Sequence, residues 1–152
     1  MTRAYVGLGA NLGDREQMLR LALERLATEP SVELVTASTL RETEPEDFLD
    51  QPHFLNGAAA VETDLSPRQL LARLQLIECE LCRRRAGPRF CPRVIYLDLL
   101  LYGSETVSEP EIEIPHPRLH LRRFALEPLV ELNPELEVPG KGPVSALLAG
   151  LD

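Results

Sequence analysis

The spacing of apolar and polar positions along this chain switches repeatedly between strand-like and helix-like. The run Ala4-Tyr5-Val6-Gly7-Leu8-Gly9 predicts a first strand whose small residues permit close packing. Asn11-Leu12-Gly13-Asp14 turns the chain, and Asp14 followed three residues later by Gln17 marks a helix N-terminus. Met18, Ala22 and Leu26, with Leu19 and Leu23 beside them, give that helix one apolar face. Val32 to Leu40 alternates as a second strand. From Arg41 to Pro52 the periodicity stops, and prolines and acids there predict a long exposed loop, the kind of segment that often carries binding residues. Phe54 to Val61 reads as a strand again. Ser66-Pro67-Arg68-Gln69 is a helix start, with Ser66 as cap, Pro67 at the first helical position and Gln69 closing the box. Leu70, Leu74, Ile77 and Leu81 continue that helix until Ala86-Gly87-Pro88 breaks it. Val94 to Tyr102 is a nearly continuous apolar run that reads as a buried central strand ending at Gly103. Inside it stands one carboxylate, Asp98, costly there unless paired, neutralised or bound to a metal. Ile114-Pro115-His116-Pro117 is a turn, Phe124 to Leu132 a short helix, and Val144 to Leu148 a last one. The order β-α-β-β-α-β with extra pieces predicts an α+β fold. The expectation is a ferredoxin-like sandwich, a mostly antiparallel sheet with helices packed on it, in one domain over residues 1–152.

Composition supports one core, since 44% of the residues are apolar. The first residues lack the apolar stretch of a signal peptide and no later run is long enough for a membrane span, so a cytoplasmic protein without a membrane partner is expected. A net charge of −8 argues against a general nucleic-acid binder. The charge is nevertheless uneven. Arg83, Arg84, Arg85, Arg89 and Arg93 fall in an acid-free stretch, and Arg118, Arg122 and Arg123 form a second cluster. Such a concentration suits a small polyanion, because guanidinium forks match phosphate oxygens; a solvated charged face is the plainer reading. Cys79 and Cys82 have C-x-x-C spacing, but a structural zinc site needs four ligands and the chain offers no second pair. Helical periodicity places both on a helix.

Four longer motifs carry a resemblance. Tyr5-Val6-Gly7-Leu8-Gly9-Ala10-Asn11-Leu12-Gly13-Asp14-Arg15 resembles the N-terminal signature of the 6-hydroxymethyl-7,8-dihydropterin pyrophosphokinase family, with Ala10 where serine is usual. Arg41-Glu42-Thr43-Glu44-Pro45 and Gln51-Pro52-His53-Phe54-Leu55-Asn56 are similar to its pterin loop and strand. Arg93 to Gly103 resembles its metal-binding strand, and Ile114 to Arg118 with Arg122 to Leu129 resembles its last signature. The resemblance implies transfer of pyrophosphate from ATP to the hydroxymethyl group of a reduced pterin, with release of AMP, on the route to folate. It also implies two magnesium ions held by a D-x-D pair, which alternation on a strand turns to one face. ATP and the pterin are the expected partners of a monomeric chain.

Transferred to this sequence, the resemblance makes Asp98 a metal ligand and Asn56 the pterin-recognising amide, with Thr43 and Phe54 nearby and Phe90 and Phe124 as the plates of a ring sandwich. It assigns Gln75, Glu78, Arg83, Arg85, Arg93, His116 and Arg122 to ATP, with Arg83, Arg93 and Asp98 acting in catalysis. Read without the resemblance, His116 is a turn histidine and Phe124 a core aromatic. The chain departs from the pattern where Tyr96 takes the position of the first metal aspartate, and where Cys82 and Cys91 replace glycines. Each change is reachable by one G-to-T base change. That suits recent lesions, or errors in the determined sequence, on a competent scaffold; the competing reading is a family member that has become a non-catalytic pterin- or nucleotide-binding module.

Overall fold

A computed structural model describes residues 1–10, 14–43, 53–86 and 95–151, without the side chains of 83–86. Strand β1 (Thr2–Ala10) leads to helix α1 (Arg15–Ala27), then β2 (Val32–Ala37), β3 (Arg41–Thr43) and β4 (Phe54–Thr63). Helix α2 (Pro67–Ala86), β5 (Ile95–Tyr102) and the hairpin β6 (Val107–Glu109) and β7 (Ile112–Ile114) follow. A 3-10 turn at Leu119–Leu121 precedes α3 (Arg123–Leu132), the small pair β8 (Glu137–Val138) and β9 (Gly142–Pro143), and α4 (Val144–Ala149).

The helix starts follow their local sequence. Asp14 accepts a hydrogen bond from the Gln17 N–H at 3.1 Å, capping α1. At α2 the capping box closes both ways: Gln69 N–H donates to Ser66 Oγ at 3.2 Å, and Ser66 N–H donates to Gln69 Oε1 at 2.9 Å. Buried Leu70, Leu74, Ile77 and Leu81 then fix the face that α2 turns inward. Cys79 and Cys82 lie on α2; Cys79 is a free thiol and Cys82 is disulfide-bonded, so they are not joined to each other.

The main sheet runs β2-β4-β1-β5, with β3 also paired to β4, and its pairings are antiparallel. Alternation sorts its side chains onto two faces. Val6, Leu8, Ala59, Val61, Ile95 and Leu97 join Leu19, Leu26, Leu70 and Leu74 in one core beneath α1 and α2. On the other face, Tyr5, Ala58, Ala60 and Leu100 pack with Leu126 and Leu129 of α3. Each face is therefore covered by helices, as the ferredoxin-like expectation requires on one side and the C-terminal helices add on the other. No helix of the described residues is long and apolar enough to cross a membrane.

Two readings of the sequence are corrected. The apolar strand β5 is not central: it ends the sheet order, paired to β1 alone among the described residues. Its nearly continuous apolarity comes from burial, on both faces from Leu99 onward, and its outer edge is met by side-chain and turn groups. Leu97 N–H donates to Glu78 Oε2 at 2.7 Å, and His116 N–H donates to the Leu100 carbonyl at 3.0 Å. The segment from Arg41 is not wholly irregular either. Arg41, Glu42 and Thr43 pair with Asn56, Leu55 and Phe54 as β3. Such a short strand has no periodicity of its own to show; its partner makes it a strand. The rest of the expected loop, 44–52, lies outside the described residues apart from what is said of its sequence.

Candidate active site

The site lies on the α3 face of the sheet, where β1 contributes glycines. Gly9 is paired with Asn56 on one side and Tyr96 on the other, and Gly7 with Ala58 and Asp98. Directly paired residues share a face, so Asn56, Tyr96 and Asp98 rise beside a floor that has no side chains along β1. Space there is tight: a Cβ on Gly7 would stand 3.1 Å from Leu100 Cδ1, which would have to give way by a few tenths of an ångström.

At the Gly9 end, Asn56 is buried and its Nδ2 donates to Thr43 Oγ1. That bond orients the amide and leaves further donor and acceptor capacity for a ligand edge. Phe54 contacts Tyr96 with ring centroids 5.9 Å apart and planes tilted by 57°. Since β1 lies between β4 and β5, this contact crosses it where Gly9 offers no side chain. Arg15 fastens the rim by donating to the His53 carbonyl at 2.6 Å and to Glu42 Oε1 at 3.1 Å.

At the Gly7 end, two cavities meet. A cleft of about 660 Å³ is lined by Gln75 and Glu78 of α2, Asp98 of β5, His116, and acids of the β6–β7 hairpin. A small cavity of about 30 Å³ is lined by Gly7, Gly57, Asp98, His116, Arg122 and Phe124 among others. Asp98 and His116 belong to both. Arg122 stands over the Phe124 ring, its guanidinium carbon 5.5 Å from the centroid.

Burial pushes the His116 imidazole below its ordinary value, an effect partly offset by the nearby Asp98 carboxylate. The Arg118 backbone N–H donates to His116 Nδ1 at 3.4 Å. A neutral ring that accepts at Nδ1 carries its proton on Nε2, and so presents a donor suited to a phosphate oxygen.

The fold thus gathers Gln75, Glu78, Asp98 and His116 around the cleft, Asp98, His116, Arg122 and Phe124 around the small cavity, and Thr43, Phe54, Asn56 and Tyr96 at the adjoining end of the sheet. Phe90 and Arg93 lie outside the described residues, as do the side chains of Arg83 and Arg85 on the last turn of α2. Sequence reading missed Glu109, Glu111 and Glu113, which wall the cleft. The alternation Glu111-Ile112-Glu113-Ile114 after a proline was a hairpin signal for them. Among the described residues no group of three or more His, Cys, Asp or Glu side chains is placed to hold a metal ion.

A sequence model of the family described as 7,8-dihydro-6-hydroxymethylpterin-pyrophosphokinase (HPPK) matches residues 5–134. The chain is 43% identical over 152 residues to the 2-amino-4-hydroxy-6-hydroxymethyldihydropteridine pyrophosphokinase of Methylorubrum extorquens, covering 100% of this chain and 95% of that protein. It is 41% identical over 134 residues to the Bacillus subtilis protein of the same name, covering 88% of this chain and 80% of the other. Among solved structures, a wild-type Plasmodium falciparum HPPK-DHPS superimposes with a TM-score of 0.76 over 97% of this chain at 16% identity, a likeness of fold. This chain spans 43% of that longer one.

Proposed function

The chain belongs to the 7,8-dihydro-6-hydroxymethylpterin-pyrophosphokinase family, and on that premise we propose that it transfers pyrophosphate from ATP to 6-hydroxymethyl-7,8-dihydropterin, releasing AMP for folate synthesis. The observation that carries this reading is the junction: Asp98 and His116 line both the large cleft and the small cavity beside it. A nucleotide in the cleft and a pterin at the sheet face would bring their reacting ends together there. The hydroxymethyl oxygen attacks the β-phosphorus, the bond from that phosphorus to the α-bridging oxygen breaks, and AMP leaves with the electron pair while the hydroxyl proton is lost. Such a transfer needs positioning and charge stabilisation more than covalent help from the protein.

The roles follow from chemistry. Asn56, held by Thr43, pairs with the pterin edge, and Phe124 with Phe90 stacks on its ring. Neutral His116 donates through Nε2 to a phosphate oxygen. Gln75, Glu78 and the guanidinium groups of Arg83, Arg85, Arg93 and Arg122 hold the triphosphate and nucleoside, Arg83 and Arg93 acting on the charge that develops during transfer. Residues 1–152 act as one catalytic unit, a single chain binding both substrates.

The family resemblance also implies two magnesium ions, and the described residues do not fit that pair. On the site face of β5 the carboxylate of Asp98 is preceded, at the alternate position, by the phenol of Tyr96. A phenol brings neither the charge nor the bridging oxygens of a carboxylate to a hard dication.

The test is AMP formation from ATP and magnesium, with and without the pterin, beside a Tyr96→Asp variant. Pterin-dependent AMP release is expected from the unaltered chain, and the variant should be faster by about tenfold or more, equivalent to ~1.4 kcal/mol of barrier. No pterin-dependent AMP from either protein would overturn the reading.

A further inference from the structure

The site face carries a feature that the family's two-ion arrangement does not contain, and it changes what the chain can bind. Asp98 and Tyr96 are two residues apart on β5, and their partners on β1 are Gly7 and Gly9. Both side chains therefore rise on one face, from adjacent rows of the sheet. A carboxylate at each position would present two groups to one pair of ions. Here the second row is occupied by an aromatic ring committed elsewhere: it contacts Phe54 across β1, over the space that Gly9 leaves. On the far side of Gly9 the Asn56 amide closes the row, near enough that a Cβ on Gly9 would be 2.8 Å from its Oδ1. The nearest carboxylate on α2, Glu78, accepts from the Leu97 N–H at the outer edge of the strand.

From this geometry we propose that the chain holds its nucleotide with one divalent cation, on Asp98, and that the Tyr96–Phe54 aromatic pair occupies the place of the second. The proposal rests on the nucleotide-binding reading above. A magnesium-sized ion bound by a single carboxylate, waters and phosphate oxygens is an ordinary arrangement. Two dications a few ångströms apart are another matter, because their mutual repulsion is relieved by carboxylates that contact both. Glu78 and the hairpin acids line the cleft that Asp98 shares, but on the site face of β5 the position alternate to Asp98 carries a phenol, so a second dication there would lack the carboxylate that could contact both ions. The aromatic pair adds a gain in exchange: it extends the apolar wall beside Asn56 and Thr43, where a flat ring is to lie.

The decisive quantity is the number of cations bound, read without turnover. The full chain would be saturated with an ATP analogue whose α–β bridging oxygen is a methylene group, in the presence of the pterin. Bound Mn2+ would be counted by equilibrium dialysis and by its electron paramagnetic resonance signal. The expected count is one Mn2+ per bound analogue in the unaltered chain and in Tyr96→Phe, rising to two in Tyr96→Asp, with spin coupling between the two ions. Two ions in the unaltered chain would overturn the proposal while leaving the pyrophosphokinase reading intact, and would point to a second carboxylate of the cleft, such as Glu78 or an acid of the β6–β7 hairpin. One ion in Tyr96→Asp, provided that variant binds the analogue, would overturn the role given to Tyr96. Failure of the unaltered chain to bind the analogue at all would overturn the nucleotide reading and this proposal with it.

Discussion

A Cβ on Gly9 would stand 2.8 Å from Asn56 Oδ1, closer than a carbon ordinarily approaches an oxygen. The amide would have to turn, and its bond to Thr43 Oγ1 would be lost or redirected. Gly9→Ala should therefore weaken pterin binding by about 10- to 100-fold, the scale of one or two buried hydrogen bonds at ~1–3 kcal/mol. Nucleotide affinity should change little, because the cleft lies at the Gly7 end. Calorimetric titration with each ligand separates the two effects, and an unaltered pterin affinity would remove Asn56 from the pterin edge. At this scale many of the residues that the candidate site brings together were legible. Asn56, Thr43, Asp98 and His116 stand in motifs long enough to assign. The partner that Tyr96 finds in Phe54 was not legible, since the two are 42 positions apart and on strands separated by a third.

Short elements show how tertiary contacts settle what local pattern leaves open. The stretch from Thr39 to Thr43 has no period of its own, yet β3 is held on β4 partly by α3. Glu131 accepts from the Thr39 N–H at 2.8 Å, from the Thr39 hydroxyl at 2.7 Å and from Arg41 Nη2 at 2.7 Å. The Thr39 hydroxyl and N–H hydrogen bonds are the leading causes that hold the Glu131 carboxyl below its ordinary value, with Arg41 adding to them. A depressed carboxylate adds stability that is fully present above its unfolded value near 4.5 and is lost as pH falls through the folded one. Glu131→Gln should then cost about 0.5–1 kcal/mol at neutral pH, a modest figure because the group is partly exposed. The gap from the unaltered protein should narrow as pH falls below 4.5. Denaturant midpoints across that range measure it, and a gap that widened toward acid would contradict the assigned role. Long elements behaved differently: the caps of α1 and α2 and the face of α2 follow from residues within a few positions of one another.

The molecule as a whole is a sheet with a core on each face, and the candidate active site spans one end of the face shared with α3 and the cleft at the β5 edge that α2 also lines. The part of the core away from that cleft is separable from the chemistry. Leu19 of α1, fully buried in the core on the opposite face, lines neither cavity. Leu19→Ala should destabilise the fold by roughly 2–5 kcal/mol through lost contacts and a residual void. Pterin-dependent AMP release per folded molecule should stay unchanged. Chemical denaturation paired with activity per folded molecule tests both parts, and a loss of turnover among folded molecules would show that the two faces are coupled. The sequence by itself determined the long elements, the fold class and the motif residues, because periodicity, capping and motif spacing act over short ranges of chain. Only the tertiary structure decided that the apolar strand β5 is an edge, because burial on both faces produces the same pattern as a central position. It likewise decided that residues 41–43 form a strand and that acids of the β6–β7 hairpin wall the cleft. Above all, the aromatic ring at Tyr96 meets Phe54 across Gly9, a contact set by strand order and register, which no stretch of sequence states on its own.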